Sequence, residues 1–152
     1  MDIEKITTSE IFYTKDHEWI DFQEIFAYTG VCGFKLLGYK EIHEIVFCDL
    51  EGFKKRGEVI ATIKYNDYAI EAHMPVDGQI LDVNKKLLLA DKNVLLKSPE
   101  NIGWIALILP SDPTERIELL QRKQYEIKVK SKYKDQKYFQ PRRKIQVGLD
   151  GK

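Results

Sequence analysis

Along most of the first 110 residues, short apolar-rich segments alternate with turn formers. The segments "EWIDF" (18–22), "IFAYTGV" (25–31), "EIVFCDL" (44–50), "EVIATIKY" (58–65), "YAIEAHM" (68–74), "QILDVN" (79–84) and "WIALIL" (104–109) are dense in β-branched and aromatic residues and are flanked by Gly, Pro, Asn or Asp. Seven candidate strands at this spacing predict a sandwich or barrel. The first residues of "YNDY" close the sixth-decade strand and its last opens the next, so the two predict a hairpin whose tip is Asn66 and Asp67. Helical periodicity predicts only two helices, a short one over Phe34–Ile42 and a longer one over Ser111–Ile127. In the longer, Ser111 or Asp112 caps the first N–H groups, Pro113 suits the first turn and Glu115 favours the dipole. Its Ile117, Leu120 and Tyr125 are expected to face the sheets.

"GEVIATI" from Gly57 and "GQILDVN" from Gly78 repeat a glycine followed by alternating apolar residues. Each reads as one half of a twofold-related pair of sheets, with Pro75 and Gly78 of "MPVDG" supplying the turn between them. The expected result is a flattened β sandwich with the hairpin exposed between its halves.

Composition adds that the chain folds: 43% of the 152 residues are hydrophobic and 32% charged, a globular balance. No leader pattern opens the sequence and no apolar run approaches the length of a membrane span, so a cytoplasmic protein with no membrane partner is expected. Cys32 and Cys48 lack metal-ligand spacing and are too few for a disulfide framework; buried thiols are expected. Their acting as a redox pair is left open.

The formal charge of zero conceals two opposite regions. Residues 128–152 carry nine Lys or Arg against Asp135 and Asp150, a balance of +7, which leaves 15 basic and 22 acidic residues, −7, in 1–127. A basic terminal segment suits solvated chain, an acidic docking partner or a phosphate polymer. Tyr133, Tyr138 and Phe139 lie in it without any nucleic-acid-binding motif, which argues against nucleic acid as the partner. His17, His43 and His73 are scattered among the motifs, and no Ser-His-Asp, Cys-His or paired-acid arrangement supports an enzyme.

Several ordered motifs carry a family resemblance over about residues 11–127. "YTKDHEWI" (13–20), "EIVFCDL" (44–50), "GEVIATI", "PVDGQILDVN" and "GWIALILPSDPTERIELL" (103–120) resemble the H protein of the glycine cleavage system, although "KSPENIGW" (97–104) is a loose version of that family's loop. The resemblance implies a mainly β barrel-sandwich hybrid of the lipoyl/biotinyl-carrier kind, with a short helix and a C-terminal helix. It divides the chain into a lipoyl-type domain, 1–127, and a basic extension, 128–152. It further implies a carrier without an active site of its own. Lipoate, in amide linkage to a lysine at the hairpin tip, would shuttle an aminomethyl group from a pyridoxal-phosphate decarboxylase to a folate-dependent aminomethyltransferase, and a flavin dehydrogenase would reoxidise it.

At the decisive position the chain departs from its family. Counting without a gap from either Gly57 or Pro75 places the modified lysine at Asp67, whose carboxylate cannot form the amide. The neighbours differ too: Lys64 stands where the family has Glu, and Tyr65, Asn66, Tyr68 and Ile70 replace a mostly small set. Lys64 has the right amine but lies three residues before the tip, on the opposite face of its strand. The polar residues that receive the loaded arm in the family map onto Asp16, Glu18 and Glu71, all still acidic and suited to a cationic group. Structural or solvated roles for these acids, and for His17, remain the alternative.

Three function classes follow. The favoured one is a non-lipoylated paralogue, a monomer without a cofactor, that serves as an accessory or binding protein of a glycine-cleavage, lipoate-handling or sulfur-handling complex. The others are a lipoyl carrier for glycine decarboxylation or lipoate-dependent sulfur metabolism, modified on Lys64, and a nucleic-acid-associated domain acting through the basic tail. No metal is expected.

Overall fold

The computed structural model describes residues 10–48, 52–85 and 91–135. The seven strands expected from the sequence all form: β2 (Glu18–Phe22), β3 (Ala27–Val31), β4 (Glu44–Phe47), β6 (Val59–Tyr65), β7 (Tyr68–His73), β8 (Gly78–Val83) and β9 (Ala106–Pro110). Three further short strands join them among the described residues, β1 (Glu10–Tyr13), β5 (Phe53–Lys54) and β10 (Leu120–Gln121). Too little alternation marks such short pieces, which take their strand geometry from the neighbours they pair with.

These strands form two antiparallel sheets. One has the order β10-β1-β2-β3-β9-β8-β5, and the other is the three-stranded β4-β6-β7. The echoed segments β6 and β8 therefore lie in different sheets, as the repeat implied. Between the sheets a single apolar core gathers Ile20, Val31, Ile45, Ile60, Ile63, Ala72, Met74, Leu95, Ile105 and Ile108, all nearly inaccessible to water. A second cluster on the other side of the large sheet is aromatic: Tyr13, Trp19, Tyr28 and Tyr125, with Cys32. The architecture is the expected mainly β barrel-sandwich hybrid with a C-terminal helix.

Three local expectations are corrected. Over 34–42 the structure forms only a 3-10 turn, Gly33–Leu36, after which Gly38 adopts φ of 93° and ends any helix. A short helix, α1 (Val94–Lys97), appears instead in the loop before β9. Gly78 is not a left-handed turn residue; it opens β8 beside β9, where a Cβ would come within 2.4 Å of the Leu109 carbonyl oxygen. Close backbone approach, rather than φ, explains the glycine.

The third correction moves the long helix. Residues 111–119 are turns, β10 follows, and α2 spans Arg122–Asp135. Asp112 does cap locally, accepting the Thr114 N–H at 3.0 Å, but the turn goes no further. Glu118 sits at φ of 69°, a conformation no α-helix admits, and pairing of β10 with β1 through Phe12–Gln121 outweighs helical propensity. Arg116 fixes this path: it donates to the Pro113 carbonyl at 2.6 Å and to Glu10 at 2.6 Å, with its guanidinium 3.6 Å over the Phe22 ring. Ile117 is consequently exposed, while Tyr125 is buried as expected. Helix α2 passes residues 127 and 128 without a break, so the basic segment starts inside an anchored helix. Residues 136–152, including Tyr138 and Phe139, lie outside the described part, as do Asp49, Leu50 and the side chain of Tyr133.

Candidate functional site

The β6–β7 hairpin closes on a two-residue turn. Tyr65 pairs with Tyr68, and Asn66 takes φ of 55°, a left-handed conformation that Asn tolerates better than most residues. Asn66 and Asp67 are both exposed. The turn is tied down: the Asn66 N–H donates to His43 Nδ1 at 2.9 Å, and His43 Nε2 lies 3.0 Å from the Glu41 carboxylate. Because Nδ1 accepts, the ring proton of neutral His43 sits on Nε2 and points at Glu41. Tyr65 packs on Tyr39 (5.4 Å between centroids), His43 (5.1 Å) and Tyr68 (6.4 Å), and the Tyr39 hydroxyl donates to the Ile63 carbonyl at 3.1 Å. Lys64 is exposed on the outer face of the sheet, opposite Ala69 on β7 and Glu44 on β4.

At the other end of the hairpin lies a charged cleft of about 170 Å³, bounded by Thr14, Asp16, Glu18, Arg56, His73 and Glu118 among others. Its centre is Glu18, 2% exposed on β2. One carboxylate oxygen, Oε2, receives the His73 backbone N–H at 2.8 Å, His73 Nδ1 at 2.6 Å and the Lys35 ammonium at 2.7 Å. The other, Oε1, accepts the Thr14 hydroxyl at 3.1 Å. Burial alone would push this carboxyl up, but the His73 hydrogen bond and the Lys35 charge outweigh burial and hold it below the ordinary glutamate value. His73 moves the opposite way: its bond to Glu18 raises it against a smaller effect of burial. Glu71 Oε1 lies 3.4 Å from the far ring nitrogen of His73, and Arg56 and Glu118 pair at 3.4 Å on the cleft wall.

The structure thus brings Asp16, Glu18 and Glu71 to one place, around a histidine and a lysine that sequence patterns did not single out for this site. His73 looked like one of three scattered histidines, and Lys35 like a helix residue; nothing local links either to Glu18, 55 and 17 positions away. Ligand atoms of Asp16, Glu18 and His73 lie within 4.8 Å of one another, a spacing open to a metal ion. Lys35 opposes that use, since an added cation would sit beside an ammonium already 2.7 Å from the shared carboxylate.

His17 belongs to a different group. It holds φ of 66°, its Nδ1 lies 2.9 Å from the Tyr125 hydroxyl, and its ring packs on Phe34. Tyr125 stacks on Tyr13 at 4.5 Å and reaches the Cys32 thiol. Burial pushes the ionisations of Tyr13, Tyr125 and Cys32 well up, so Cys32 is an inert packed thiol. Cys48 is half-buried, and both cysteines are unbridged. The role of this cluster is to fasten α2 to the large sheet.

Comparison with known proteins supplies the family. The family model described as glycine cleavage H-protein matches residues 11–132. A glycine cleavage system H protein of Thermotoga maritima is 31% identical over 117 residues, covering 75% of this chain and 91% of that one. One from Clostridium botulinum strain Hall is 33% identical over 123 residues, covering 78% and 89%. The crystal structure of a glycine cleavage system H protein from Mycobacterium marinum superposes with a TM-score of 0.68 at 20% identity, over 80% of this chain and 97% of that one, and supports the fold. Matched in this way along most of its length, the chain belongs to the glycine cleavage H-protein family.

Proposed function

We propose that this family member works without lipoate, as an accessory or binding protein of a lipoate-dependent complex, glycine cleavage or a sulfur-handling relative, with no active site of its own. The observation that carries the reading is the exposed Asn66–Asp67 turn: the hairpin tip presents an amide and a carboxylate where a lipoyl linkage requires an amine. A tip held by His43 and packed with tyrosines also suits a fixed recognition surface better than the base of a swinging arm. Tyr65 and Tyr68 supply the aromatic area that binding surfaces favour. The basic extension from Lys128 fits docking on an acidic partner; among the described residues Lys128 and Lys130 of α2 are exposed. No helix among the described residues is long and apolar enough to cross a membrane.

A second reading is favoured by one observation: Lys64 is exposed, so a ligase has access to its amine. Against it, Lys64 sits within a strand opposite the Glu44 carboxylate rather than on a turn. Intact mass measurement after co-expression with lipoate ligase, with a lysine-bearing H protein as control and peptide mapping over 57–78, separates the two. An unmodified chain beside a lipoylated control is expected. A lipoyl increment on Lys64 overturns the reading and makes the protein a carrier.

A further inference from the structure

His43 joins the segment before β4 to the hairpin tip in two ways. Its backbone N–H donates to the Lys64 carbonyl at 2.8 Å, and the preceding residue, the buried Ile42, donates its own N–H to Asn93 Oδ1 at 2.8 Å. The backbone that carries the ring is thus pinned independently of the ring. The imidazole has two further tasks: Nδ1 accepts the Asn66 N–H at 2.9 Å, and Nε2 faces the Glu41 carboxylate at 3.0 Å. Only the neutral ring can do both. Once Nδ1 binds a proton it becomes a donor and meets the Asn66 N–H donor to donor, whereas the Glu41 contact gains a full charge. The side chain is 40% exposed, so protons reach it from solvent, and imidazole is the side chain that ordinarily changes charge between about pH 5 and 8.

We propose that His43 is a proton-operated latch on the hairpin tip: the neutral ring holds the Asn66–Asp67 turn, and the imidazolium releases it while staying on Glu41. The ionisable groups around the ring fit such an exchange. Glu41 is its ion-pair partner; Lys40 and Glu44 flank it on its own segment, the hairpin brings Lys64 and Asp67, and Lys64 is on the outer sheet face opposite Glu44. The phenols of Tyr39, Tyr65 and Tyr68 complete the cluster, and the Tyr65 ring, 5.1 Å from the imidazole, favours its charged form. Protonation therefore trades one backbone hydrogen bond for a charged pair. Asn66, at φ of 55°, loses the acceptor that fixes its N–H, while the Tyr65–Tyr68 pairing and the Lys64 carbonyl contact remain. The tip is set at neutral pH and loosened in mild acid. This concerns the turn itself and stands whether or not the tip docks on a partner or the hairpin is modified.

The test follows, by NMR on the full chain, the exchange of the Asn66 amide with water from about pH 8 to about pH 5, beside the nitrogen shifts of the His43 ring. Each exchange rate is taken relative to unstructured chain at the same pH. Protection of Asn66 should fall several-fold in step with the ring's titration, while the Ile42 amide, held by Asn93, keeps its protection. His43→Gln, whose side-chain oxygen accepts a hydrogen bond but does not titrate, should abolish the pH dependence. Constant protection of Asn66 while the ring titrates, a loss that Ile42 shares, or an equal fall in His43→Gln overturns the proposal. If His43→Gln does not fold, the wild type decides alone: a fall at Asn66 whose midpoint departs from that of the ring overturns the proposal as well.

Discussion

The two ends of the β6–β7 hairpin are held by different physics. At the tip an exposed two-residue turn is fixed by one imidazole and a few aromatic edges. At the base an almost inaccessible carboxylate joins β2, β7 and the Gly33–Leu36 turn through charged hydrogen bonds. Water competes for every contact at the tip and for almost none around Glu18, so equal numbers of hydrogen bonds carry unequal energies. The tip is consequently open to substitution, and Asp67 is accommodated there without strain, whereas the base constrains the fold.

The sharpest way to break this contrast is to remove the buried carboxylate. Glu18→Ala leaves Lys35 and His73 without their counter-charge and should cost about 3–5 kcal/mol in urea unfolding. A loss below about 1 kcal/mol would mean that the base is no more constrained than a surface ion pair. Next comes His73→Gln, expected to cost about 1.5–3 kcal/mol where the charged hydrogen bond is complete. This cost should vary with pH. His73 is raised in the folded state, so its contribution is full below the ordinary value of 6.5 and is lost as pH climbs through the folded value. Glu18 is lowered, so its contribution is full above the ordinary 4.5 and is lost as pH falls through the folded value. The difference between wild type and His73→Gln should therefore be greatest between pH 4.5 and 6.5 and shrink in alkaline buffer. A flat difference would assign His73 a packing role alone.

Smaller effects belong to the tip. His43→Ala removes the acceptor for Asn66 and should cost about 1 kcal/mol, with faster amide exchange confined to residues 65–68. Exchange that quickens equally at Glu18 and His73 would show that tip and base open as one unit. Asp67→Lys should change stability by less than about 0.5 kcal/mol, as for other exposed turn positions. A larger loss would show that Asp67 makes a contact that its exposure conceals.

The seven principal strands were legible because each is a short run dense in β-branched and aromatic residues set between turn formers. The hairpin, its Asn66–Asp67 tip and the exposure of Lys64 were readable for the same reason, once the register was counted from Gly57. The Ser111–Ile127 helix was misplaced because its caps and spacing are genuine local signals. They yield to Arg116 lodging on Phe22 and to Gln121 pairing with Phe12, both contacts with the far end of the chain. Asp16, Glu18 and Glu71 are identified through family resemblance; neither Lys35 nor His73 has such a signal.

By itself the sequence determined what is local: strand polarity, the two-residue turn, the basic C-terminal stretch and the lack of an amine at the hairpin tip. Each depends on residues a few positions apart, whose side chains share a face or a turn whatever the rest of the chain does. Only the tertiary structure decided which charges meet. Glu18 finds Lys35 and His73 because sheet closure lays β2 against β7 and the 3-10 turn beside both, and the removal of water there gives those meetings their energy.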